Sequence, residues 1–270
     1  MLIIRHTVPF HSSKSFFDEP SIVRSAYRDT RQRAFSLIEL LVTIGVIGVL
    51  ISIILPAIAG ARRSAREAGT LSNLRQTATA FELYTTTYAN AYPWAPVGAK
   101  FDTSPDGDSG SSITPGYWDT SFYWPSLMHR VAPWREWFRS WVGPGGVGAG
   151  EDPWNRAGIG NGTPSYLLSK NFFARPEVWK PGTALVDSVF RPVFVRDVTF
   201  PSSKVMLLDN ELTHLRGIPN ANRDRRPMLF ADSHAAAKLL SEATKPWAPP
   251  EIGTAQPVMD TPDGVRGRDY

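Results

Sequence analysis

The hydropathy pattern is dominated by residues 40–59, LLVTIGVIGVLISIILPAIA, twenty positions without one ionisable group. A helix of that length crosses the roughly 30 Å hydrocarbon core of a bilayer. Gly45, Gly48 and Pro56 weaken a helix in water, yet they are common in membrane helices, where lipid forbids unpaired backbone groups. A buried core helix is the competing reading of such a run. A removable secretory signal fits poorly, because the stretch exceeds the usual apolar length of about 7–15 residues and lies behind a long polar leader. Beyond Gly60, apolar residues recur at Leu71, Leu74, Ala78, Phe81, Tyr84 and Tyr88, in steps of three and four that form one stripe of an amphipathic helix. The two patterns join without a break and predict a single helix over residues 35–89. Tyr92-Pro93-Trp94 and Pro96 are expected to end it, since proline lacks an amide and disfavours helix in the residue before it.

Residues 97–182 are rich in Gly, Pro, Ser and Trp and show little periodicity, apart from a short helix expected around Trp134–Trp141. They read as long loops with short elements. Residues 188–198, 204–208 and 226–231 are β-branched or aromatic runs between turn residues, and predict a small antiparallel sheet. Five prolines between Pro246 and Tyr270 suggest an extended or mobile tail. The fold class expected is α+β: a long N-terminal membrane-spanning helix continuing into an amphipathic helix packed on a small antiparallel sheet with long loops. The expected segments are a leader (1–34), a transmembrane helix (35–59), its amphipathic continuation (60–92), a loop-rich head with a C-terminal sheet (93–245) and a Pro-rich tail (246–270).

Composition narrows the chemistry. The 270 residues contain no cysteine, which excludes disulfides, thiolate metal sites, iron–sulfur clusters and thiol nucleophiles. The formal charge of +4 raises the possibility of a nucleic-acid partner until the charges are located. Residues 1–34 hold six basic and three acidic groups, so the remaining 236 residues carry 23 against 22. The main body therefore has no nucleic-acid footprint. Charge does not orient the span either, because Arg24, Arg28, Arg31 and Arg33 precede it and Arg62, Arg63, Arg66 and Arg75 follow it.

Immediately before the span stands Arg33-Ala34-Phe35-Ser36-Leu37-Ile38-Glu39-Leu40-Leu41-Val42. This segment closely resembles the processing site of type IV prepilins and type II secretion pseudopilins. The resemblance extends through Pro56, residues 62–67 (RRSARE) and residues 72–76 (SNLRQ), the last of these similar to large-domain pseudopilins in particular. It implies that a prepilin peptidase cuts between Ala34 and Phe35 and N-methylates Phe35. Family members more often have glycine before the cut. The resemblance further implies that Glu39, the fifth mature residue, serves assembly with other pseudopilins or pilins on an inner-membrane platform. It places the leader in the cytoplasm and the head in the periplasm, on a single-pass inner-membrane protein that enters a periplasmic or surface filament. On this reading the protein is not an enzyme and takes no cofactor. An enzyme or carbohydrate-binding domain on an uncleaved signal anchor is the alternative.

Independently of any family, a carboxylate one turn into an apolar helix costs several kcal/mol unless it is paired, protonated or near the interface. Cleavage before Phe35 would create an α-amine four residues away, on this chain or on a neighbour. Weaker constellations lie further on. Residues 204–211 and 228–234 resemble the last sheet segments of pseudopilins, with Ser233 in place of the glycine of an Asp-Gly-His turn. Asp209, His214, Asp232 and His234 have suitable metal-ligand chemistry, although two polar β-turns are the simpler account. Ser104, Asp106 and Asp108 imitate the start of a calcium loop whose twelfth position is Pro115. Gly107-Asp108-Ser109-Gly110 resembles a serine-protease nucleophile segment without its partners. Seven of the nine tryptophans fall between Trp118 and Trp179, where core packing is favoured over a binding platform.

Overall fold

The computed structural model describes residues 35–102, 112–114, 116–144, 164–183, 185, 190–215, 218 and 221–270. Residues 1–52 and 53–270 form two separate units. In the first, the described residues are the start of helix α1, which runs over Leu37–Thr87. Every residue from Phe35 to Ser52 is exposed.

Within the second unit, α1 acquires a buried face only from Thr70 onward. Leu74, Ala78, Phe81 and Tyr84 are buried as the spacing predicts, and Leu71 is half-buried. Thr70, Thr77 and Ala80 widen that face. The Thr77 hydroxyl donates to the Asn73 carbonyl at 2.9 Å and lies 3.0 Å from that of Ser140, so a polar side chain is accommodated without an unmet hydrogen bond. Tyr88, expected in the stripe, is exposed and packs instead against the Tyr84 ring at 4.4 Å. The helix ends before the prolines. Ala89 and Asn90 both adopt left-handed backbone (φ 51° and 63°), and the Asn90 amide returns to the Thr85 carbonyl at 2.7 Å. The chain then leaves through an isolated bridge between Ala91 and Phe194.

The buried stripe faces a four-stranded antiparallel sheet of order β3–β4–β5–β6, with β3 Tyr166–Leu168, β4 Val205–Asp209, β5 Arg225–Phe230 and β6 Ala235–Leu239. Strands β4 and β5 match two of the predicted runs. The third, 188–198, is not a strand in its described part: Phe194 makes the single bridge and Val195–Asp197 form a 3-10 turn, because this segment pairs only with the loop after α1. Two strands of this sheet escaped prediction. β3 is three residues long, and β6 reads Ala-Ala-Ala-Lys-Leu, a helix-prone composition overridden by its pairing with β5 from Arg225–Leu239 to Leu229–Ala235. A minor hairpin pairs β1 (Phe101–Asp102) with β2 (Ser112–Ile113). Helices α2 (Thr120–Met128) and α3 (Trp134–Trp141) follow; the latter coincides with the expected short helix.

Aromatic side chains fill the space between α1, α2 and the sheet. Phe81 contacts Trp124 at 5.2 Å, Trp124 meets Trp141 edge-on at 5.1 Å, and the Trp124 indole donates to the Tyr166 carbonyl at 3.0 Å. Trp124, Trp141 and Trp179 are buried, which agrees with core packing for this tryptophan-rich region.

The second face of the sheet is covered by residues 244–270, and the expectation that the tail is mobile is thereby corrected. Val258 and Met259 share a core cluster with Leu167, Val205, Leu208, Met228 and Phe230. The Ser169 hydroxyl donates to the Val258 carbonyl at 2.8 Å, and Asn171 bonds both Val258 and Thr261. Gly264 (φ 57°) lies against Trp179, where a Cβ would fall 2.2 Å from the indole Cδ1. The prolines set backbone direction without keeping the segment apart from the core. At its end, the fully buried Lys204 ammonium donates to Asp269 at 3.0 Å. The same carboxylate accepts the Val205 amide at 2.7 Å and the Thr261 hydroxyl. Burial pushes the Lys204 ammonium down and the Asp269 carboxyl up, and each charge opposes the shift of the other.

Removing one member of a buried ion pair strands the other charge. Asp269→Ala is expected to cost about 3–5 kcal/mol in denaturant unfolding of the detergent-solubilised chain, and to raise amide exchange in residues 244–270. A loss below about 1 kcal/mol with unchanged exchange would show that the pair does not hold this segment.

Candidate functional site

Residues near the expected cut form the first candidate. Ala34 and the leader lie outside the described residues. Phe35 and Ser36 are described and precede the first helical residue, Leu37. The Ser36 carbonyl accepts the Leu40 amide at 3.1 Å and opens the helical ladder. Phe35 is thus outside regular helix and exposed, as a peptide bond must be to enter a protease cleft.

Glu39 occupies the third helical position, in the first turn, where the positive end of the helix dipole favours a carboxylate. It is the sole charged side chain between Phe35 and Ala61. The polar groups deeper in the apolar run satisfy themselves: Thr43 donates to the Leu40 carbonyl and Ser52 to that of Val49, each at 2.7 Å. Glu39 differs from these, because a carboxylate only accepts and the backbone donors open to it are the first-turn amides that lack a helical partner. α1 is long and apolar enough to cross a membrane, and none of its most apolar window is buried within the protein. The core helix of a soluble protein would be mostly buried, unlike that window.

The head-domain candidates separate into two pairs. Asp209 closes β4 in full burial; one oxygen accepts the Leu212 amide at 2.9 Å and the other lies 3.2 Å from His214 Nδ1. Asp232 sits in the β5–β6 turn, 2.5 Å from His234 Nδ1, and accepts the His234 amide at 3.3 Å. The His234 ring stacks on Phe230 at 4.2 Å, nearly parallel. Among the described residues no group of three or more His, Asp or Glu could hold a metal ion, so the four ligand candidates do not converge. Each carboxylate instead ends a strand by bonding backbone a few residues on. Asp106, Asp108, Ser104 and the Gly107–Gly110 segment lie outside the described residues.

Sequence reasoning missed the residues that join α1 to the sheet and its loops. Asn73 donates to the Arg139 and Val142 carbonyls at 3.1 and 3.0 Å, and Arg75 to the Ala235 carbonyl at 3.3 Å. Glu67 pairs with Arg225 of β5, and Glu82 accepts the Ser233 hydroxyl at 2.6 Å. Their signal was the polar residues flanking each apolar position of the stripe, which periodicity treats only as a solvated face.

Comparison with known proteins adds one match: residues 29–55 fit the prokaryotic N-terminal methylation motif, a motif typical of type IV pilins and pseudopilins. It implies prepilin-type processing by a prepilin peptidase. No curated protein and no solved structure matches the chain.

Ser233 stands in left-handed backbone (φ 71°), the conformation that the glycine of an Asp-Gly-His turn would adopt without strain. Both Ser233→Gly and Ser233→Ala remove the bond to Glu82, but only glycine relieves the backbone. The glycine variant is expected to be more stable than the alanine variant by about 1 kcal/mol in denaturant unfolding.

Proposed function

We propose that the chain is a pseudopilin: a subunit cut between Ala34 and Phe35, N-methylated at Phe35, held in the inner membrane by residues 35–59 and assembled through α1 into a type II secretion pseudopilus or a related type IV filament. Its role is structural rather than catalytic. The observation that carries the reading is the coincidence of the methylation motif with a helix that is apolar on all sides yet bears one carboxylate in its first turn. Apolar surface on every face requires lipid, or other helices of the same kind, as its surroundings. A carboxylate within that apolar helix is stabilised by a cationic partner. The amine freed at Phe35 supplies one, and the corresponding amine of an adjoining subunit supplies another.

Cleavage accounts for the charge distribution. The leader holds most of the excess positive charge, and its removal leaves a chain close to neutrality. The partners on this reading are the prepilin peptidase, other pseudopilins or pilins and the inner-membrane assembly platform. The head, with its periplasmic placement, is the portion presented at the filament surface.

Two measurements test this. Mass spectrometry of the membrane-extracted protein is expected to find a chain beginning at N-methylated Phe35 in a host with prepilin peptidase, and the intact leader in a peptidase-null strain; equal masses in the two strains refute processing. Glu39→Ala is expected to leave membrane insertion unchanged or improved, since a costly group is removed from lipid, while incorporation into assembled filaments falls below detection. Normal incorporation would refute the pairing role of Glu39.

A further inference from the structure

Beyond filament assembly, we infer that Arg62 and Arg63 form a binding site for the phosphate of an anionic phospholipid headgroup, at the end of the span that carries the head. This rests on the membrane-anchored reading of α1. Arg62 follows Ile58, the last large apolar residue of the run, by four positions, or about 6 Å of helix. The headgroup layer is about 5–7 Å thick on each side of the hydrocarbon core, so both guanidinium groups stand at the level of lipid phosphates.

Three observations point to a ligand supplied from outside the chain. Arg62 and Arg63 are exposed, and neither pairs with a described residue. No acidic residue lies between Glu39 and Glu67, and the Glu67 carboxylate is already taken by Arg225 of β5. The two charges are therefore uncompensated by the nearest carboxylate on their own helix. The neighbouring side chains are also small: Gly60, Ala61, Ser64 and Ala65 are exposed, and a Cβ at Gly60 would meet nothing within 4 Å. A bulky headgroup can reach the arginines over this surface, and a guanidinium fork matches a phosphate with two parallel hydrogen bonds.

The placement runs against the usual bias of basic residues toward the cytoplasm. Before cleavage, Arg24, Arg28, Arg31 and Arg33 balance it from the other side of the span; after cleavage that balance is gone. In the processed chain, Arg62 and Arg63 hold the head end of α1 at the outer headgroup layer of the inner membrane until assembly draws the helix out.

The test uses the full processed chain in detergent micelles, titrated with phosphatidylglycerol or phosphatidylcholine of matched acyl chains and read by native mass spectrometry. Wild type is expected to bind phosphatidylglycerol the more tightly. Arg62→Gln with Arg63→Gln should weaken that binding roughly 25-fold, at about fivefold per arginine, without changing binding of phosphatidylcholine. Arg62→Lys with Arg63→Lys, which keeps the charge, should retain most of the preference. Equal binding of the two lipids by wild type, or an unchanged preference in the Gln variant, overturns the proposal. So does a Gln variant altered in self-association alone, which would assign the arginines to a neighbouring subunit. Alkaline carbonate extraction of membranes separates the two readings: a chain that stays in the membrane without lipid preference refutes this site alone, whereas a released chain refutes the membrane anchor as well.

Discussion

The structure depends on one helix whose sequence is written for two surroundings. Over its first turns α1 is apolar on every side and exposed throughout, a state that is stable only where lipid or similar helices replace water. From Thr70 onward a single face is buried and the remainder is polar, as suits a helix lying on a sheet in water. Because one helix runs from Leu37 to Thr87, no loop intervenes between the two patterns.

That sheet is buried on both faces, which explains the continuous burial of β4 and the need for a second cover. α1 and the tryptophan-bearing helices occupy one face; residues 244–270 occupy the other. The latter cover is held as much by polar contacts as by apolar ones. Lys204–Asp269, Lys170–Asp260 and the Asn171–Thr261 bonds fix its register in a segment that has little regular structure of its own. Buried ionic groups of this kind are costly to desolvate, and they discriminate strongly against any misplacement that leaves one of them unpaired.

Charge is used sparingly and at defined heights along α1. Glu39 is alone in the apolar half; Arg62 and Arg63 mark its far end; Glu67 ties the next turn to β5 through Arg225. In lipid an isolated carboxylate favours whatever brings a cation to it, and two exposed guanidinium groups favour whatever brings a phosphate. On the proposed membrane-anchored reading, this asymmetry along the helix gives it a preferred depth.

The sequence by itself determined the long helix, the methylation motif with Phe35 and Glu39, α3, and strands β4 and β5. All of these are signals of composition and period in a contiguous stretch, where local chemistry decides the outcome. Tertiary structure decided the rest. β6 is a strand because β5 offers a ladder to an alanine run that alone would favour helix, and residues 190–198 fall short of one because their backbone pairs only with the loop after α1. α1 ends at Thr87, and Ala89 and Asn90 turn the chain in left-handed backbone toward Val193 and Phe194 before the prolines are reached. Asp209, His214, Asp232 and His234 share a ligand chemistry but form two pairs, as which side chains converge is set by strand register and not by residue type. The tail was the least legible: five prolines exclude regular structure, and only the complementary partners Lys204, Asn171 and Trp179, brought together by the fold, determine that it is packed rather than free.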